Sequence, residues 1–207
     1  MLIHHHVVEA ARRIEGHAIR TPLMVSAPMS ERLGATVAIK AEHRQRTGSF
    51  KLRGALNKVF GLTEDAAAAG VVTASSGNHG IGVATAAEAR GVDCTVYLPL
   101  GASPAKRAAI ERLGATIVTV EDTDAVVAEA AARARSEADG TTYISPYNDQ
   151  DVIAGQGTIG LEIAADAAAA GLATIDAVVA AVGGGGLISG IATALATERP
   201  GVTIVGA

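Results

Sequence analysis

Between residues 71 and 138 the chain alternates, three times over, a short apolar run with a longer helical stretch, and this alternation limits the fold more than any other feature. The apolar runs are 71–74, 94–98 and 116–120; the helical stretches are 81–90, 104–113 and 124–138. Strands joined through a helix pair in parallel, because the crossover carries the chain back to the end of the sheet at which the first strand began. A parallel sheet needs both faces covered, so helices are expected on both sides of it. The predicted fold class is therefore α/β, built on open parallel sheets.

The flanking segments fit that frame. Helices are expected at 7–14 and at 26–33, the second ending at Gly34, with a break at Arg20-Thr21-Pro22-Leu23 between them. A strand at 36–41 and a helix at 52–60 follow, then an alanine-rich turn or helix at 63–69 that stops at Gly70. Beyond the alternation come a strand at 142–144, a polar connection at 146–151, a helix at 155–169, a strand at 177–182, a helix at 187–197 and a strand at 202–205. The last strand should be an inner one, yet Gly206-Ala207 follow it directly, so the 207 residues are expected to be part of a longer protein.

Composition excludes several classes of function. A net charge of −4, with 17 scattered Lys and Arg, makes no basic field for nucleic acid or an anionic membrane. No apolar run approaches the roughly 18 residues of a membrane span. The single Cys94 has no internal disulfide partner, which points to a reducing, cytoplasmic setting. His4, His5 and His6 are adjacent in sequence and do not share a helix face, so no metal site is expected there.

Three stretches carry chemistry. Lys51 lies in Thr47-Gly48-Ser49-Phe50-Lys51-Leu52-Arg53-Gly54-Ala55, at the opening of a helix. An ordinary lysine is protonated, with a pKa of about 10.4, and burial beside Phe50 and Leu52 would favour the neutral nucleophile. A surface lysine in the first turn of an amphipathic helix is the competing reading. Ser75-Ser76-Gly77-Asn78-His79-Gly80 joins a strand to a helix and offers hydroxyls, an amide, an imidazole and free N–H groups. Such a turn suits a carboxylate, or simply caps its helix. Gly183-Gly184-Gly185-Gly186 again joins strand to helix, where four residues without Cβ let backbone N–H groups wrap a phosphate or merely make a tight turn. No Gly-Lys dipeptide and no G-x-G-x-x-G spacing accompany it, so a nucleotide loop is not expected.

Together, and with Thr21-Pro22-Leu23 and Ala154-Gly155-Gln156-Gly157-Thr158, these stretches resemble the serine/threonine dehydratase branch of fold-type II pyridoxal phosphate enzymes, which includes serine racemase. The resemblance spans nearly the whole chain. It implies a tryptophan synthase β-like fold of two domains. The larger one comprises residues 1–69 and 148–207 and is incomplete, and a small mobile one comprises 70–147. It implies pyridoxal 5'-phosphate as cofactor, with Lys51 forming a Schiff base to it and moving the substrate α-proton. Phe50 would lie against the pyridine ring, Asn78 would bond the ring hydroxyl, and Gly183, Gly184, Gly185, Gly186 and Leu187 would bind the phosphate. Ser75, Ser76, Asn78 and His79 would clamp the substrate carboxylate, with Ser76 a second acid/base. The implied activity is ammonia-lyase chemistry, converting a β-hydroxy amino acid such as threonine or serine to a 2-keto acid and ammonia, in a homodimeric full-length enzyme. Racemisation, dehydration of another hydroxylated amino acid, and a non-catalytic module stay open as alternatives. Family members continue past this length, and the group facing the pyridine nitrogen belongs to the remainder.

Overall fold

A computed structural model describes residues 1–207. Helix α1 (His4–Arg13) buries Val7 and Ala10, one turn apart on the same face, and Ile14 continues that face. Strand β1 (Leu23–Val25) follows, then helix α2 (Ala27–Leu33), stopped by Gly34 in the left-handed conformation at φ 63°. Strand β2 (Ala38–Lys40) pairs antiparallel with β1, Leu23 opposite Lys40. The sequence around Pro22 reads as a break, but Pro22 has a carbonyl to give, and it accepts from Ala41 N–H beside the pair. Three residues are too few for alternation to register in sequence.

Helix α3 (Lys51–Phe60) begins at Lys51, as expected, and α4 (Glu64–Ala69) is capped by Thr63 Oγ1 accepting from Ala66 N–H. The alternation then appears as β3 (Val71–Ala74), α5 (Asn78–Arg90), β4 (Cys94–Pro99), α6 (Pro104–Arg112), β5 (Thr116–Val120), α7 (Ala125–Asp139) and β6 (Thr142–Tyr143). Its four strands form one parallel sheet in the order β5-β4-β3-β6. Side chains along each strand go to opposite faces. Val71, Val96 and Leu98 join Leu52, Val83 and Ile110 in the core under α3, α5 and α6, whereas Val72 and Tyr97 meet Ala128 and Ala132 of α7.

Helix α8 (Gln150–Asp166) starts five residues before the expected 155. The Asp149 carboxylate accepts from Asp151 and Val152 N–H and caps a polar first turn, which reads in sequence as a loop. Strand β7 (Ala177–Ala180), helix α9 (Gly186–Glu198) and strand β8 (Thr203–Gly206) complete the chain, β7 and β8 forming a parallel pair. Glycine sets the helix spacing: a Cβ on Gly155 would lie 2.6 Å from Gly54 Cα in α3, and one on Gly157 would lie 2.8 Å from Gly190 O in α9. Helix α8 thus touches, through bare backbone, both the helix that carries Lys51 and the helix that follows the glycine run.

Charges complete the tie. Arg53, only 1% exposed, donates to Glu42 of the turn after β2, to Glu162 and Thr158 of α8, and to Ile19 O. Lys40 reaches Glu162 at 2.6 Å, and Arg20 pairs with Asp166. No helix is long and apolar enough to cross a membrane.

Candidate functional site

Lys51 stands in the first turn of α3, half-buried, with Nζ donating to Pro146 O at 2.6 Å and lying 5.2 Å from the centre of the Phe50 ring. Burial lowers its pKa below the ordinary lysine value. Phe50 contributes to that environment; Leu52, expected to do the same, turns instead into the main core beside Val83. Phe50 packs against the apolar cluster formed by α8, α9 and the end of β7, against which Leu187 and Ile188 at the start of α9 also pack.

The second stretch is set against the first by a close crossing. A Cβ on Gly82 of α5 would sit 3.3 Å from Leu52 N and Lys51 C, so the polar turn before α5 arrives beside the lysine. Ser75 Oγ accepts from Gly77 N–H, which folds the turn back on itself. Gly80 has no room for a side chain, since Ser75 O occupies the position of its Cβ. Ser76 is half-buried in this turn and Asn78 is exposed in the first turn of α5. Neither is hydrogen-bonded to Lys51, whose bond goes to Pro146. His79 is buried: it is 3% exposed, its Nε2–H donates to Ile144 O at 3.0 Å, and its Nδ1 has no partner. Burial, reinforced by the nearby Lys51 charge, lowers its pKa to about 4, so the ring is neutral. Its imidazole ties the turn to the strand end at Ile144.

The glycine run has two unlike faces. A Cβ on Gly184 would overlap the Tyr147 ring, 2.5 and 2.6 Å from Cδ1 and Cδ2, and one on Gly186 would lie 2.9 Å from Tyr147 O. At Gly183 and Gly185 a Cβ would meet nothing within 4 Å. Gly185 needs its missing side chain for a φ of 81°, whereas Gly183 is not left-handed and not crowded. The first intrahelical bond of α9 is Ser189 N–H to Gly185 O, leaving the N–H groups of Gly186, Leu187 and Ile188 without helical acceptors.

One segment joins the three. Ile144 O accepts from His79 and from Thr73 Oγ1, Pro146 O accepts from Lys51, and Tyr147 backs the glycine run. In sequence Ile144 reads as the end of a strand at 142–144, and Pro146-Tyr147 only as the start of a polar connection. Its signal was an aromatic residue after proline in a chain with three Tyr, two Phe and no Trp.

These residues fit the cofactor that the resemblance implies. A desolvated amine suits an aldehyde, and a glycine run open on one side, at a helix N-terminus whose N–H groups are free, suits a phosphate. Gly183 supports the second half of that fit most directly, because nothing in the protein itself requires glycine there.

Comparison with known proteins agrees. Residues 14–207 match the family model described as "Pyridoxal-phosphate dependent enzyme". The L-threonine ammonia-lyase of Thermotoga maritima is 42% identical over 200 residues, covering 97% of this chain and 48% of the relative. The catabolic L-threonine dehydratase of Escherichia coli is 41% identical over 204 residues, covering 97% of this chain and 59% of the relative. Among solved structures, maize serine racemase superposes with a TM-score of 0.93 at 34% identity, over 100% of this chain and 61% of that one. The chain thus spans about half to three-fifths of the length of these proteins.

Proposed function

Because the chain belongs to the pyridoxal-phosphate dependent enzyme family, we propose that it carries the lysine, the phosphate cradle and the substrate turn of an ammonia-lyase acting on threonine or serine. The observation that carries the reading is the pairing of a half-buried, desolvated Lys51 amine with a one-sided glycine cradle across a single short segment. Similarity to proteins named threonine ammonia-lyase and threonine dehydratase supports the choice of substrate. Similarity to maize serine racemase favours racemisation as the second reading.

In this reading Lys51 would be the covalent attachment point, Gly183–Gly186 and Leu187 would hold the phosphate, Phe50 would pack against the ring, and Asn78 would bond its hydroxyl. Pyridoxal phosphate, when bound, supplies an electrophilic carbonyl carbon and an electron sink for the pair left at the substrate Cα. The protein does the rest. Lys51 Nζ leaves Pro146 O, and its lowered pKa raises the fraction of free base available to take a proton from Cα. The N–H groups and hydroxyls of residues 75–79 receive the substrate carboxylate and fix which bond at Cα points along the lysine side. Ser76 Oγ is the second proton carrier, which elimination does not require and racemisation does.

Residues 1–69 with 148–207 act as the cofactor-binding body and 70–147 as the smaller mobile one. This division is supported by the four-stranded sheet, which lies wholly within the second range. A homodimeric, cytoplasmic parent enzyme belongs to the same proposal.

The test is spectroscopic. Pyridoxal phosphate added to the wild-type chain is expected to give a visible-edge absorbance band that Lys51→Ala lacks, with L-threonine or L-serine then releasing 2-keto acid. Identical spectra from the two proteins would exclude Lys51 as the attachment point. Accumulation of D-serine without keto acid would favour the racemase reading.

A further inference from the structure

Tyr147 has no part in the proposed reaction, yet it lies against two of the four residues of the glycine run. Its ring fills the space a Cβ on Gly184 would need, and its main chain fills that of Gly186. Gly183 and Gly185 alternate with these two and face open space. One residue therefore occupies the side-chain space of both crowded glycines, and the other two are the open ones. Tyr147 is 39% exposed, so the ring is spread along the loop at the surface and is not a core residue. Its neighbour Pro146 holds Lys51 Nζ through the carbonyl at 2.6 Å, so the dipeptide spaces the amine from the cradle.

We propose that Tyr147 is the positioning residue of the phosphate cradle, setting affinity for the cofactor's phosphate without contacting it. Four consecutive glycines have more accessible backbone conformations than any other four residues, and each must be fixed before their N–H groups converge on one anion. A flat ring with two side-chain torsions, laid against Gly184, removes much of that freedom in advance. Without it the cradle is competent for a smaller fraction of the time, and apparent affinity falls by that fraction. The contact is made by the ring face and the main chain, so phenylalanine should serve as well as tyrosine.

This inference rests on the reading of residues 183–187 as the phosphate site, and the experiment separates the two. The 207-residue chain is titrated with pyridoxal phosphate and with pyridoxal, which has the same ring and aldehyde but no phosphate. Lys51→Ala serves as the blank, and inorganic phosphate is added as competitor. Tyr147→Ala is expected to weaken pyridoxal phosphate binding about tenfold, to leave pyridoxal within about twofold, and to blunt competition by inorganic phosphate. Tyr147→Phe is expected to match wild type for both ligands. Gly184→Ala is expected to weaken pyridoxal phosphate binding in the wild-type background and to add less loss on top of Tyr147→Ala, which makes the room its methyl needs. Tyr147→Leu, which keeps bulk without a flat ring, is read in the same way where circular dichroism shows the alanine variant unfolded. Equal losses for the two ligands, or none, overturn the positioning role while leaving the site reading intact. A wild-type chain with no saturable, Lys51-dependent uptake of pyridoxal phosphate overturns the site reading and this inference with it.

Discussion

His79 binds Ile144 O from below the substrate turn, and its titration should be visible in the stability of the whole chain. Its pKa is lowered from 6.5 to about 4 by burial and by the charge of Lys51. Above pH 6.5 the ring is neutral folded or unfolded and its contribution is fully present. Between pH 6.5 and about 4 the unfolded chain takes up a proton that the folded one refuses, so stability falls as the pH falls. At 1.36 kcal/mol per unit, this one residue should cost roughly 2 kcal/mol between pH 7 and pH 5. Urea unfolding at the two pH values checks it: His79→Asn is expected to lose less stability on acidification than wild type, and equal losses would show that the ring is not neutral in the folded state. Sequence placed His79 among the carboxylate-binding residues by resemblance. A neutral ring turned toward the strand end is a result of burial, and local sequence does not report the direction of a side chain.

Helix α8 works through what it lacks. Gly155 and Gly157 let α3 and α9 approach backbone to backbone, and this spacing separates the lysine from the cradle. In Gly157→Ala the methyl would lie 2.8 Å from Gly190 O and 2.9 and 3.0 Å from the Val7 methyls. The strain of about 1–3 kcal/mol outweighs the ~1 kcal/mol that alanine adds to a helix interior, so a net loss of stability is expected in chemical denaturation. Gly183→Ala should behave oppositely, because its Cβ meets nothing and its backbone is not left-handed. Stability should stay within about 0.5 kcal/mol of wild type, while pyridoxal phosphate binding falls because the methyl enters the open face of the cradle. An undiminished affinity would place the phosphate elsewhere. The glycine-containing stretch around Gln156 was recognisable in sequence as part of a family pattern, but its job as a double crossing was not, since the partners Gly54 and Gly190 lie far from it along the chain.

Across the whole molecule, Arg53 is the knot. It draws the turn after β2, the loop at Ile19, α3 and α8 onto one guanidinium that is 1% exposed. A buried charge network is poor evidence of net stabilisation, but removing one member strands the others. Arg53→Met should cost about 3–5 kcal/mol, a large part of the roughly 5–15 kcal/mol that holds a typical domain together. Glu42→Gln in the same chain should recover part of it by removing one of the stranded charges. Thr21 Oγ1 also donates to Glu42; thermal melts of the single and double variants decide this, and a double variant no better than the single would mean that Thr21 and solvent are enough to stabilise the Glu42 charge.

The sequence by itself determined the periodic part of this protein. Residues 71–139 alternate strongly enough that β3 to α7 fall close to their expected places, because strand and helix periods are local properties of the chain. It also determined which residues carry reactive groups, Lys51 above all, since an amine at a helix start and four adjacent glycines are legible without a fold. Tertiary structure alone decided what those groups face. The bond from Lys51 to Pro146 O, the turning of Leu52 into the core beside Val83, the inward aim of His79 and the ring of Tyr147 against Gly184 join residues 31 to 95 positions apart or depend on which face of an element meets a neighbour. Such contacts arise only when elements pack, and no local pattern encodes them. The site is therefore written in short motifs, but its geometry is set by a segment, residues 144–147, that carries none.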